Sequence, residues 1–284
     1  MDVFSVITDK EYPIKLTQNK YDEITKRISP YIQERNGVNV SYAICPCCKN
    51  PVSLVNKYFK KTQSEILYAK HTGYTVNGIA IHDQNKYESC DFRNPNKMDK
   101  DKLLKRGSDN LSDNIKDKLK ENFDLLVVII KIKTKINFTD YVILNMLKSF
   151  KLNEGYKYQC VTLFNLPYSF IFMTDAQSIL YCNVDTEIAK AIKTNSKGFT
   201  CNSYNKIIPN GKKNGEIILF FSDHKVDEDT EFQTIKLNIA EITKGQKPEE
   251  GTIVYSRILE MDMTIFDNYI RKKNTHLKLA KDNL

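Results

Sequence analysis

Cys45-Pro46-Cys47-Cys48, followed by His71 and then Cys90, is the stretch of this sequence whose residue types and spacing could do chemistry. Cys45 and Cys48 stand in C-x2-C spacing, which lets two thiolates from one tight turn hold a tetrahedral Zn²⁺. Pro46 and the run Lys49-Asn50-Pro51 surround the pair with turn-forming residues, as such a knuckle needs. Two further donors must arrive from a distant segment. His71 and Cys90 are the expected ones, with His82 as a competing fourth ligand, and Cys47 is read as a bystander. An odd count of seven cysteines without an export signal does not suit a disulfide framework. Pro51, three positions after Cys48, opposes the helix that a thioredoxin-type redox pair would require. Buried structural thiols account for Cys160, Cys182 and Cys201, each in an apolar or strand-like setting. The metal is expected to be structural zinc, because the roughly 55 residues from Asn39 to Arg93 hold too few large aliphatics for a core of their own.

Other residues that could contact a ligand are basic. Lys plus Arg is 43 against 35 for Asp plus Glu, a net +8, and such a balance attracts polyanions, nucleic acid first among them. Only six of the 43 are Arg, the residue favoured for forked phosphate and base contacts, so AT-rich codon usage explains the lysines equally well. Asn56-Lys57-Tyr58-Phe59-Lys60-Lys61 mixes cations with rings and reads either as a phosphate-contacting strip or as an ordinary amphipathic strand. Lys70 adds a cation beside His71. Arg271, Lys272 and Lys273 make the last helix basic, which also stabilises a helix C-terminus by itself. Ser222-Asp223-His224, followed by Asp227, Glu228 and Asp229, reads as a polar turn after a strand. No GxSxG, Walker or GxGxxG motif occurs, which lowers hydrolase, NTPase and dinucleotide-enzyme readings.

The elements that must position these residues suggest an α+β protein in two parts. A strand/helix segment covers 1–37, with a helix from Gln18 to Arg35, kinked at Pro30 and stopped by Asn36-Gly37. A zinc-binding module follows over 38–97, then a charged linker with a solvated helix over 98–123. A mixed α/β domain over 124–284 carries a largely antiparallel sheet. In it Asp124–Lys135 reads as a central strand and Thr139–Phe150 as an amphipathic helix. Strands are expected at Lys157–Phe164, Ser169–Thr174, Ile179–Cys182, Glu216–Phe221 and Phe232–Ile239, with a helix at Thr186–Ile192 and a terminal basic helix from about Ser256. No apolar run reaches the 18 or so residues that cross a bilayer, so a cytoplasmic chain without membrane contact is expected.

Residues 45–97 resemble the HNH endonuclease module, a treble-clef-like zinc fold in which a C-x2-C knuckle precedes a strand bearing a His, then an Asn, then a helix carrying Cys and a final His or Asn. The resemblance covers about a fifth of the chain. It implies His71 as general base, Asn85 positioning the His strand, and Asn94 with a carboxylate such as Asp83 holding Mg²⁺. Lys70 stands where the family has Asp and Arg93 where it has the second helix cysteine. The same residues therefore resemble a catalytically silent treble clef, or the zinc finger attached to some competence-associated proteins. Three readings of function follow. The first is a zinc-containing protein that binds DNA or RNA or a nucleoprotein partner, of the kind a bacterial or phage accessory or defence gene encodes. The second is a divergent HNH-type metal-dependent endonuclease, and the third a protein-interaction adaptor without nucleic acid.

Overall fold

Short strands at the N-terminus pair into one antiparallel sheet in the computed structural model, which describes residues 1–59, 64–93, 97–107, 110–211, 215–227, 232–243 and 245–284. The chain divides into two compact units. The first is formed by Met1–Asn96, Val226–Phe232 and Asp262–Leu284, the second by Lys97–Lys225 and Gln233–Met261.

The first unit begins with β1 (Val3–Val6) and β2 (Asp9–Lys15), then α1 (Gln18–Thr25), β3 (Ile32–Arg35), β4 (Val38–Ile44), β5 (Pro51–Phe59), β6 (Ser64–His71) and the short α2 (Gln84–Glu88). The sheet order is β2-β1-β4-β5-β6, with β3 also paired to β4. Thr17 caps α1 by accepting from the Lys20 N–H, as expected. The helix then ends at Thr25 instead of running to Arg35. Lys26 and Arg27 both adopt positive φ, Pro30 supplies no backbone N–H, and Ile24 and Ile28, the expected buried stripe, are 44% and 61% exposed. Asn36-Gly37, both at positive φ, turn a β3–β4 hairpin rather than stop a helix. Tyr42, Ile44, Val76 and Ile79 form one buried cluster of this unit.

The second unit opens with α3 (Asn110–Glu121), α4 (Phe123–Thr134), β7 (Ile136–Asn137), α5 (Asp140–Leu152) and α6 (Leu166–Met173). It continues through β8 (Gln177–Ser178), β9 (Asn183–Val184), α7 (Thr186–Asn195), β10 (Phe199–Cys201), β11 (Ile207–Pro209), β12 (Glu216–Val226), β13 (Gln233–Ile242) and β14 (Thr252–Glu260). Four strands make a sheet in the order β14-β13-β12-β8, and the β10–β11, β13–β14 and β7–β9 ladders are antiparallel. The expected helices at 139–150 and 186–192 are present as α5 and α7, and the expected strands at 216–221 and 232–239 as β12 and β13. The Asp124–Lys135 segment is helical, burying Leu126, Ile129, Ile130 and Thr134 at helical spacing. Ser169–Thr174 lies largely in α6, every residue of which is buried. Lys157–Phe164 and Ile179–Cys182 form turns and loops. The 98–123 stretch is part of this unit, with Met98, Ile115 and Leu119 in its core, and not a detached linker.

The chain ends with α8 (Ile265–Asn283), which belongs to the first unit and not, as expected, to the domain before it. Residues 256–260, assigned from sequence to this helix, are the end of β14. The described residues thus hold eight α-helices and antiparallel sheets, a mixed α/β protein. None of these helices is long and apolar enough to cross a membrane.

His224, read from sequence as part of a polar turn, lies in β12 and is buried. Its Nδ1 accepts from the Met98 N–H at 3.0 Å, and its Nε2 lies 2.9 Å from Gln233 Oε1. That pairing fits only the neutral ring, because a protonated Nδ1 would face another donor. Burial holds the pKa below its usual value, with the Lys97 charge adding to the effect. The unfolded state then takes its proton at about pH 6.5 while the native state still resists it. Stability should be complete above that pH and fall by about 1.4 kcal/mol per pH unit below it, until the native histidine titrates. Denaturant melts from pH 7.5 to 5 check this, and His224→Gln should flatten the slope. An unchanged slope in that variant would show that other groups control the acid response.

Candidate metal centre

Three segments deliver the cluster. β4 ends at Ile44, and the chain turns at once through Cys45–Asn50. The Cys45 N–H donates to the Asn50 carbonyl at 2.8 Å, the Lys49 N–H donates to the Cys45 carbonyl at 2.9 Å, and Lys49 takes a left-handed φ of 63°. β6, paired along β5, brings His71 opposite Val52 and so beside the turn. After the loop, Asp83 caps α2 by accepting from the Lys86 N–H, and that bond holds its carboxyl below the usual range. Cys90 follows α2, its N–H donating to the Tyr87 carbonyl.

Cys45, Cys48, His71 and Cys90 place one donor atom each within 4.8 Å of one another. Cys45 Sγ lies 3.6 Å from Cys90 Sγ, and His71 Nε2 lies 3.3 Å from Cys48 Sγ and 3.7 Å from Cys90 Sγ. A tetrahedral ion with Zn–S about 2.3 Å and Zn–N about 2.05 Å requires S···S edges near ~3.8 Å and S···N edges near ~3.6 Å. The observed edges fall close to those values, so the four residues could hold a metal ion. Protonation points the same way. Hydrogen bonds from Cys45 and Cys90 drive Cys48 far below the usual thiol range. Cys90 is driven far above it, first by its bond with Cys45, and burial pushes Cys45 up. A divalent cation would let all three sulfurs be thiolates. Cys160 shows the contrast, since burial alone raises it, to about 11.

Asn50 is a positioning residue that sequence reasoning passed over as a turn former. It is 1% exposed. Its Oδ1 accepts from the Asp83 N–H at 2.6 Å and its Nδ2 donates to the Asp83 carbonyl at 3.1 Å, clamping the knuckle to the start of α2. Tyr87 packs edge-on against His71 at 5.1 Å, and the Arg93 guanidinium covers the Tyr87 ring at 4.6 Å. The two contacts fix the imidazole between the sulfurs and the protein.

The remaining sequence-derived site residues are not brought to this cluster. His82 is half-buried with Nε2 3.1 Å from Gln84 Oε1, outside the donor group. Asn85 is exposed on α2. Asn94, Lys60 and Lys61 lie outside the described residues, and Lys57 and Tyr58 are described only as strand backbone, opposite Ile66 and Glu65. Lys70 is exposed on β6. Arg271 is engaged, 2.6 Å from Asp9 and stacked 3.3 Å over the Tyr12 ring, while Lys272 is exposed and Lys273 partly so. A cleft of about 460 Å³ beside the knuckle is lined by Lys10, Lys49 and Lys86 among others. Lys49 and Lys86 pair there with Glu11 and Asp83, at 2.7 and 3.3 Å.

No protein-family model, curated protein or solved structure matches this chain.

Proposed function

We propose that the chain is a zinc-containing nucleic-acid-binding protein whose metal is structural. The observation that carries the reading is the closed donor set: three sulfurs and one imidazole at tetrahedral spacing leave no coordination position for substrate. His71 Nε2 faces two sulfurs, which supports its role as a ligand over that of a general base. The order of knuckle, β5–β6 hairpin and α2 supports a treble-clef-like module, with Cys90 entering after the helix rather than at its start. Three thiolates on one ion suit a reducing compartment such as the cytoplasm.

The partner is argued from charge. Divided by structural unit, the second unit holds 25 basic against 18 acidic residues, and the first 18 against 17. Nearly all of the surplus therefore belongs to the unit that does not supply the metal donors, which fits a zinc that builds structure while other residues meet the polyanion.

Binding of labelled DNA and RNA by the zinc-loaded chain across 50–200 mM salt tests the reading. Affinity should fall steeply with salt, and no cleavage should appear with Mg²⁺ or Mn²⁺. Salt-insensitive binding to a protein alone would favour an adaptor. Cleavage that His71→Ala abolishes while zinc is retained would establish the endonuclease instead.

A further inference from the structure

We propose that Tyr181, Tyr204 and Lys206, at the β10–β11 hairpin of the second unit, form a stacking platform for the unpaired bases of single-stranded nucleic acid. The proposal rests on the nucleic-acid reading above and gives it a surface and a strand form. Tyr204 is 80% exposed and Tyr181 50%, although tyrosine usually buries its ring at least in part. Tyr181 also has φ +67°, a left-handed backbone that bulky residues rarely adopt and that tends to persist where function holds it.

The hairpin that presents the rings is tied tightly. The Tyr181 N–H donates to the Ile207 carbonyl, the Ile207 N–H to the Cys182 carbonyl and the Val184 N–H to the Asn205 carbonyl, each at 3.0 Å. Asn202 Oδ1 accepts from the N–H groups of both Tyr204 and Lys206, at 2.9 and 3.0 Å, and Asn183 Nδ2 donates to the Tyr204 carbonyl at 2.9 Å. The segment 181–184 is thereby laid along 204–207, so that both tyrosines are carried by one pair of hydrogen-bonded segments. Tyrosines displayed this way lose little freedom when a base stacks on them.

Charge selects the occupant. Lys206 Nζ stands 5.6 Å from the Tyr181 ring centroid, where it can meet a phosphate next to a stacked base. Lys190, Lys193 and Lys197 are exposed at i, i+3 and i+7 along and just beyond α7, the helix that directly precedes β10. Cations beside exposed rings suit an anionic chain with accessible base faces. A duplex hides those faces, and a neutral sugar has no use for the lysines.

Fluorescence anisotropy of the full zinc-loaded chain with a labelled 20-nucleotide thymidine or uridine strand tests the platform. Tyr204→Ala should weaken binding about tenfold and Tyr204→Phe should preserve it, because the ring and not the hydroxyl stacks. Lys206→Gln should lower the log-affinity against log-salt slope by about 0.7, with the melting temperature of each variant unchanged. If the wild type binds the single strand and these variants bind equally well, the platform is wrong and the nucleic-acid reading stands. Tighter binding of a 20-base-pair duplex, or salt-independent binding of a neutral oligosaccharide lost in the same variants, would also overturn it. A wild type that binds neither strand form sinks both proposals.

Discussion

Cys45→Ser should abolish metal binding and unfold the first unit. Cys45 is fully buried, and its sulfur is one of the four grouped donors. α2, which leads to Cys90, buries none of its own residues and has little packing of its own to hold it. Its attachments include the Asp83 cap, the Asn50 clamp, the packing of Tyr87 on His71 and the cluster at Cys90. Apparent binding free energies of structural zinc run to about 10–16 kcal/mol in small domains, as large as or larger than the ~5–15 kcal/mol that keeps a typical domain folded. Losing even half of that interaction removes the margin. Native mass spectrometry should find about one zinc per wild-type chain and none in the variant. Limited proteolysis should then cut within residues 1–93. Chelator should reproduce the effect, and acid should too, since each sulfur must be a thiolate to bind. Cys160→Ser, in the second unit and outside the cluster, should keep the zinc. A Cys45→Ser chain that retains zinc and melts as the wild type does would refute the metal centre.

Phe170→Ala should destabilise the second unit by about 3–5 kcal/mol, the usual loss when a buried aromatic leaves a cavity. Phe170 is fully buried in α6, packed edge-on to Phe123 at 5.8 Å and tilted against Phe150 at 5.1 Å. Those rings bring α4 and α5 onto the central helix, so little can collapse into the space. In a unit of this size the melting temperature should drop by roughly 10 °C, with zinc content unchanged. A shift under about 3 °C would mean that the helices rearrange around the gap. Calorimetry of the two chains decides it.

α6 also shows where sequence reasoning stops. Leu166–Met173 is apolar nearly throughout, so hydrophobic spacing carries no period to separate strand from helix. The same ambiguity hid α4, whose run Leu125 to Ile130 is rich in β-branched residues yet folds as a helix between helical neighbours. At Thr186–Asn195 the alternation of Ile188, Ala189 and Ile192 with polar residues is unambiguous, and Asp185 caps the helix as its side chain allows. Near the C-terminus, Ile258 and Met261 fit a helical stripe when read with Ile265. The β13–β14 pairing claims residues 252–260 before that helix can begin.

The donors of the candidate metal site were legible because their requirement is local chemistry: a C-x2-C turn, then an imidazole and a thiolate from later in the chain. The sequence by itself determined which residue types could meet an ion and excluded Cys160, Cys182 and Cys201 from doing so. It ranked His71 ahead of His82 but held no geometric reason for doing so; that reason is the β5–β6 register, which sets His71 beside the knuckle, while His82 lies against Gln84. Nor could it place the charge: long-range contacts assign residues 97–123 to the second unit and the acidic stretch 226–232 to the first, which leaves the basic surplus in the second even though the basic α8 joins the first. Spacing within a turn is fixed by covalent geometry, whereas convergence across dozens of residues is fixed only by packing.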